Sequence, residues 1–110
     1  MKLPGGRNPI IDREKLLGYC LSVEHPRGKF KARVFRSVLG VTAENLELLV
    51  AALREAAAEN DAEAGPSDRF GDRYVVDFEL AGPSGTATVR SAWILRHGES
   101  TPRLTSCYVK

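Results

Sequence analysis

The chain has 110 residues, 43% of them hydrophobic and 27% charged, which fits one soluble globular domain and excludes a disordered tail. No apolar run approaches the roughly 18 residues of a membrane-spanning helix, and the first residues contain no signal-peptide segment, so we expect a cytoplasmic protein without a membrane partner. The net charge is only +2, so the overall charge does not indicate a nucleic-acid-binding protein.

Residues 1–9, rich in proline and glycine, are predicted to form a loose arm before a helical part over residues 10–59. A first helix is predicted over about 13–22, with Asp12 as its N-cap. Its apolar residues are expected in the core: Leu16, Leu17, Cys20 and Leu21. Cys20 and Cys107 are both predicted to be buried free thiols, and a disulfide between them is the alternative.

A second helix is predicted over about 29–39, after a turn at Pro26 and before Gly40, which suits the left-handed position after a helix. Five residues at helical spacing predict its buried face: Phe30, Val34, Phe35, Val38 and Leu39. Lys31 projects into the middle of this apolar arc. Either its methylenes lie on the core while the ammonium reaches water, or the ammonium serves an anion site beside His25.

The charges are unevenly distributed along the chain. All five charged residues from Arg27 to Arg36 are basic, whereas acids predominate from Glu44 to Asp72. This pattern predicts a molecule with a basic side and an acidic side, and a mixed, solvated surface is the alternative. A basic side can hold phosphates, and an acidic helix can receive a basic partner.

A third helix, capped by Thr42 and ending near Glu59, carries a core stripe. The stripe has the spacing i, i+3, i+4, i+7: Leu46, Leu49, Val50 and Leu53. Residues 60–71 show no periodic pattern and are predicted to form a loop. From Arg73 onward the hydrophobic period becomes two, which predicts a first strand, a hairpin loop at Gly82–Gly85, and further strands over about 86–96 and 102–109.

The order of these elements predicts the fold class. We expect one α+β domain over residues 1–110, in which about three N-terminal helices pack on one face of an antiparallel β-meander over residues 72–110. The meander is expected to have three strands, with a short fourth strand as an alternative. On its second strand Trp93 is expected to anchor the core rather than stack on bases, which leaves Arg90 on the opposite face.

The orientation of the last strand decides which side chains lie beside Arg90. Its sequence allows either set of alternate residues to face the core. If Cys107 and Val109 face the core, then Ser106 and Tyr108 lie beside Arg90. A cleft between this face and the segment from His25 to Lys31 would hold an imidazole, cations and two hydroxyls. The other interpretation gives each residue a structural role: surface strand positions, a core tyrosine and a turn histidine.

This set of groups suits RNA cleavage without a metal. His25 would be the general acid or base at the ribose 2′-hydroxyl, since imidazole titrates near neutrality. Lys31 and Arg90 would hold the phosphate, and Ser106 and Tyr108 would orient it. The sequence has no cluster with metal-ligand spacing and no nucleotide-binding glycine motif, so neither a metal nor a cofactor is predicted.

The order of several motifs resembles an uncharacterised bacterial family of small domains, which occur free-standing and at the C-termini of polymorphic toxins. The motifs are His25-Pro26-x-Gly28-x-x-Lys31-Ala32-x-x-Phe35, Leu39-Gly40, Gly82-Pro83-Ser84-Gly85, Trp93-Ile94 and Pro102-Arg103-Leu104-x-Ser106-x-Tyr108. More loosely, helices before a meander that ends in a hydroxyl and an aromatic residue are similar to the Barnase–EndoU–colicin–RelE group of ribonuclease toxins.

The resemblance implies a ribonuclease of a toxin–antitoxin or polymorphic toxin system, with a small inhibitor protein as its partner. The implied site residues are His25, Lys29, Lys31, Arg90, Ser106 and Tyr108. Lys29, Arg33 and Arg103 are candidates for binding the RNA substrate. The alternative is a non-catalytic interaction protein that binds a small partner protein or RNA through its basic patch.

Overall fold

Four antiparallel strands form one sheet in a computed structural model that describes all 110 residues. The strands follow chain order across the sheet: β1 (Ala62–Asp68), β2 (Gly71–Gly82), β3 (Gly85–Arg96) and β4 (Arg103–Val109). Each strand therefore pairs with its neighbour in the chain, as in a meander. With the helices before the sheet, this architecture confirms the predicted α+β fold.

Three helical segments precede the sheet. They are α1 (Arg13–Lys15), which continues as a π turn over Leu16–Cys20; α2 (Gly28–Val34), which continues as a π turn over Phe35–Leu39; and α3 (Leu46–Glu59), which follows a 3₁₀ turn over Ala43–Asn45. The predicted caps are present, because the Asp12 side chain accepts the Glu14 N–H and the Thr42 side chain accepts the Glu44 N–H. No helix has both the length and the apolar character that crossing a bilayer requires.

The strand β1 occupies most of the stretch from 60 to 71, for which the sequence predicts a loop. That prediction is therefore wrong. Only Ala62 of this strand is buried. The pairing register shifts between Ala64 and Ser67, which places Pro66 at an irregularity where proline's missing N–H is tolerated. An edge strand with one buried residue has no alternating pattern, and it is therefore invisible to an analysis of hydrophobic periodicity.

The N-terminal arm also differs from its prediction. Leu3 is buried, and Lys2 forms a bridge with Asp61 beside the start of β1. At the other side of the sheet, Ile10 forms a parallel bridge with Arg103 of β4. The first ten residues are therefore fixed to both edges of the sheet and are not a loose arm.

The hydrophobic core joins the helices to alternate residues of the strands. The α3 stripe is buried as predicted. On β3 the buried residues Val89, Ser91 and Trp93 alternate with Arg90, which confirms the predicted face of that strand. On β4 Cys107 is fully buried and Cys20 is buried with it, both as free thiols.

The buried face of α2 is rotated relative to the prediction. Phe35 and Leu39 are fully buried, but Phe30, Val34 and Val38 are 59%, 38% and 39% exposed. The residues that pack inward are instead Gly28, Ala32, Phe35 and Leu39. Lys31 precedes Phe35 by four residues and so lies on this inward stripe. Leu17 is likewise 40% exposed rather than buried.

Candidate functional site

The ammonium of Lys31 joins three distant parts of the chain. Its Nζ lies 3.4 Å from Tyr19 Oη on the first π turn and 3.3 Å from Ser106 Oγ on β4. It also lies 4.8 Å from the centroid of the Tyr19 ring and 5.3 Å from that of Tyr108. Lys31 is half-buried and forms no ion pair, so hydroxyls and ring faces surround its charge and no carboxylate neutralises it.

Gly28 determines how closely α2 approaches Tyr19. A Cβ atom at position 28 would overlap the backbone carbonyl oxygen of Tyr19. Glycine alone therefore permits the close contact between the start of α2 and the first π turn. Lys31 is one turn further along α2, so this contact also sets the distance from which its side chain reaches Tyr19.

His25 combines a structural role with a place at the site. Its Nδ1 accepts the backbone N–H of Arg27 at 3.1 Å and that of Gly28 at 3.0 Å, which caps the start of α2. Its ring meets the Tyr19 ring edge-to-face, with centroids 4.7 Å apart. Since Nδ1 is an acceptor, the neutral ring carries its proton on Nε2, which has no hydrogen-bond partner within the protein.

These five half-buried side chains form a group that we call the Lys31 cluster: Tyr19, His25, Lys31, Ser106 and Tyr108. The cluster is an open surface, because the concave grooves of the molecule are lined by other residues. An open surface with a cation and hydroxyls suits an extended anionic polymer better than an enclosed small molecule. No group of three or more His, Cys, Asp and Glu side chains is placed to hold a metal ion.

Arg90 lies beside the Lys31 cluster, but its charge is already paired. It faces Tyr108 directly across the β3–β4 pair. Its guanidinium donates two hydrogen bonds of 2.9 Å to the Asp77 carboxylate, which also accepts from Lys110 at 3.2 Å. The hydrogen bonds from Arg90 lower the pKa of Asp77, and those to Asp77 raise the pKa of Arg90. Asp77 would therefore compete with a phosphate for this arginine.

Two thiols lie next to the Lys31 cluster on its core side. Cys20 follows Tyr19 in the chain, and Cys107 lies between Ser106 and Tyr108 on β4. The contact with Cys107 lowers the pKa of Cys20, with smaller contributions from Ser106 and the Lys31 charge. The same contact with Cys20 raises the pKa of Cys107. The two thiols therefore belong to the same chain segments that carry Tyr19, Ser106 and Tyr108.

The remaining candidates lie apart from the Lys31 cluster. Lys29 and Arg33 flank the exposed ring of Phe30 on α2. Arg103 is bound by Glu99, at 3.1 Å, near the start of β4. Sequence reasoning missed Tyr19, which contacts both Lys31 and His25. Its position beside Cys20 was the available signal, since an aromatic with a hydroxyl interrupts an otherwise apolar helix end.

The sequence profile of one protein family, a domain of unknown function (DUF6883), matches residues 2–110. The chain belongs to this family. Membership of DUF6883 confirms the resemblance to an uncharacterised domain family, and the matched range includes every residue of the Lys31 cluster. The description of DUF6883 states no activity. The chain has no significant match among curated proteins or among solved structures.

Proposed function

We propose that this protein is a metal-independent endoribonuclease of toxin type and that the Lys31 cluster binds the scissile phosphate. One observation carries the proposal: the half-buried ammonium of Lys31 has no acidic partner and points at the hydroxyls of Tyr19 and Ser106. A phosphate would supply the missing negative charge, and the hydroxyls would supply hydrogen bonds to its oxygens.

His25 takes a definite part in this proposal. Its Nδ1 is held by the backbone N–H groups of Arg27 and Gly28, so the neutral ring presents only Nε2–H to a substrate. A phosphate oxygen is a suitable acceptor for that proton. The general acid/base role expected from the sequence would require the ring to exchange these two backbone hydrogen bonds for a proton on Nδ1.

The proposed reaction is an internal transesterification of RNA. The ribose 2′-oxygen attacks the phosphorus and loses its proton to water, while the bond to the 5′-oxygen breaks and that oxygen takes a proton from water. The products are a 2′,3′-cyclic phosphate and a free 5′-hydroxyl. Lys31 and His25 stabilise the crowded anionic phosphorus, which is usually the largest contribution to such catalysis. Ser106 and Tyr108 orient the phosphate, and Arg90 supports Tyr108 across the strands.

The proposed setting follows from the resemblance. The enzyme would act in the bacterial cytoplasm as part of a toxin–antitoxin or polymorphic toxin system, with a small inhibitor protein as its partner. Membership of an uncharacterised domain family is compatible with this setting. A cell that makes the protein without such an inhibitor should therefore lose RNA and stop growing.

Induced expression in bacteria tests the proposal, with growth curves and total RNA on a gel as the readouts. The wild type should arrest growth and degrade RNA. Lys31→Met keeps the apolar stem and removes the charge, and His25→Asn keeps an acceptor for the backbone N–H groups of the turn. Both variants should restore growth. Normal growth and intact RNA with abundant wild-type protein would instead support the non-catalytic interaction protein.

A further inference from the structure

The exposed face of α2 presents an aromatic ring among cations that have no acidic partner. Phe30 is 59% exposed, and its ring centroid lies 5.2 Å from Lys29 Nζ and 5.7 Å from Arg33 Cζ. None of the five basic residues from Arg27 to Arg36 makes an ion pair. Core packing does not explain this ring, because α2 packs inward through its other face.

A second exposed aromatic shows that this combination is specific to α2. Phe70 is 57% exposed and lies 4.9 Å from the guanidinium carbon of Arg69. However, Asp68 and Asp72 flank it in the β1–β2 turn, and Asp68 accepts the Phe70 backbone N–H. The surroundings of Phe70 therefore include carboxylates that repel an anionic polymer. The surroundings of Phe30 on its own helix contain only cations and apolar side chains.

We propose that Phe30 is a stacking platform for one base of a single-stranded RNA and that Lys29 and Arg33 bind the phosphates on either side of that base. The inference rests on the proposed function, since it names the form of RNA that reaches the Lys31 cluster. Aromatic faces stack on any base, and cations beside the ring release counterions from the phosphates, so binding tolerates many sequences.

The order of residues on α2 connects this platform to the cluster. Phe30 and Lys31 are consecutive, and successive side chains leave a helix about 100° apart. One helix therefore presents a base platform on its solvent face and a phosphate site on its inward face. A strand of RNA that crosses the helix between these two faces engages both. A base-paired duplex cannot stack a base on Phe30, because its bases are already stacked on each other.

The competing occupant is an acidic protein segment that docks on the exposed apolar side chains of α2. Such a segment would use Phe30, Val34 and Val38 together, since all three are exposed at successive helical turns. Base stacking uses Phe30 alone. The cations around Phe30 favour the nucleic acid, because they lie over its ring faces, where a planar base can stack in their place while the displaced cations bind the adjacent phosphates.

Fluorescence anisotropy with a labelled 2′-O-methyl RNA strand, which cannot be cleaved through its 2′-oxygen, tests this proposal at several salt concentrations. We expect Phe30→Ala to weaken binding of the single strand by about 5- to 150-fold with little change in salt dependence. Phe30→Trp should retain binding, and Val38→Ala, a matched exposed apolar control, should have no effect. Arg33→Gln should lower the salt slope by about 0.7, the value for one phosphate contact on a single strand.

Three results would overturn the platform: equal binding by wild type and Phe30→Ala, equal losses with Val38→Ala, or no binding by the wild type at low salt. The second of these would show that the exposed apolar side chains of α2 act together, as a docking face for a protein segment does, and that Phe30 is not a separate stacking platform. Because the RNA probe cannot be cleaved, the experiment tests the Phe30 platform independently of the proposed ribonuclease activity. Tight Phe30-dependent binding without RNA cleavage in cells would leave the platform in place and remove the ribonuclease. Equal binding by wild type and Phe30→Ala, together with RNA cleavage that requires Lys31, would remove the platform and leave the ribonuclease in place.

Discussion

Lys31 Nζ lies 3.3 Å from Ser106 Oγ, although 75 residues separate the two in the chain. The contact brings α2 against β4, the last strand of the sheet, and Tyr19 of the first π turn completes it from a third element. The Lys31 cluster therefore exists only when the helices are docked on the sheet. Substitutions that loosen this docking should damage the cluster even when they touch none of its residues.

Replacing Gly28 with alanine tests that dependence. The new Cβ atom would overlap the Tyr19 carbonyl, so the start of α2 must move away from the first π turn. We expect Gly28→Ala to lower the free energy of unfolding by about 1–3 kcal/mol, as overpacking does elsewhere. Urea unfolding followed by circular dichroism measures the change, and RNA cleavage should fall together with stability.

Gly18 offers a matched control in the first π turn, the element that Gly28 of α2 contacts. An added Cβ atom at Gly18 has no neighbour within 4 Å. We expect Gly18→Ala to leave stability unchanged or to raise it by about 0.5 kcal/mol, because alanine has less backbone entropy to lose. Equal destabilisation by both substitutions would show that glycine flexibility, and not the close approach, is what matters.

The pairing of Asp77 with Arg90 makes a prediction about pH. The Arg90 hydrogen bonds lower the folded-state pKa of Asp77, so the unfolded chain takes up its proton first as the pH falls. The pair therefore stabilises the fold above the unfolded pKa of aspartate, about 3.9, and this contribution disappears as the pH falls through the lower folded pKa. Thermal unfolding from pH 2 to 7 should show this loss in the wild type and a flatter profile in Asp77→Asn. Identical profiles would contradict the assignment.

The same substitution should also change RNA binding. Asp77→Asn releases the charge of Arg90, which faces Tyr108 in the Lys31 cluster. We expect tighter binding of an uncleavable strand and a salt slope that is steeper by about 0.7. Asp61→Asn, an exposed acid outside this pair, serves as the control. A salt slope in Asp77→Asn that is no steeper than that of the wild type, or no steeper than that of Asp61→Asn, would show that Arg90 does not reach the RNA.

A buried hydrogen-bond chain in the sheet supplies a stability prediction independent of the site. Ser91 Oγ donates to the Val76 carbonyl at 2.7 Å and accepts from Trp93 Nε1 at 2.9 Å. Ser91→Ala leaves the buried Nε1–H of Trp93 without its acceptor, at a cost of about 1–3 kcal/mol. The fluorescence of Trp93, the only tryptophan, reports unfolding directly. The exposed Ser37→Ala should shift stability by less than about 0.5 kcal/mol, and a comparable loss there would contradict the argument.

The sequence predicted the elements whose pattern is strong. The α3 stripe, the caps at Asp12 and Thr42 and the alternation along β3 all follow from local chemistry, and all are present. β1 was invisible because its stability comes from backbone pairing at a sheet edge and only Ala62 is buried. The face of α2 was misjudged because the contact of Gly28 with Tyr19, which no periodicity encodes, sets the rotation of the helix.

The candidate site also combines features that the local sequence indicates with features that only tertiary contacts determine. Lys31 stood out in the sequence as a cation within an apolar arc, and the structure places it on the inward stripe. The place of Tyr19 beside Cys20 marks it in the sequence, but its contacts with Lys31 and His25 follow only from the packing of the first π turn against α2. The pairing of Arg90 with Asp77 also required the register of β2 against β3, in which the two residues are direct partners. Tertiary contacts therefore decide which polar residues meet and which are neutralised.

RNA cleavage by purified protein in the presence of EDTA tests the central claim most directly, with the wild type compared with Lys31→Met. The wild type should release fragments with cyclic phosphate ends, and a strand with a 2′-O-methyl group at every position should stay intact. Lys31→Met should cleave at least about 100-fold more slowly, as when one oxyanion donor is removed, whereas the exposed control Lys15→Met should retain full activity. Cleavage by Lys31→Met at the wild-type rate, or no cleavage by the folded wild type, would contradict the account.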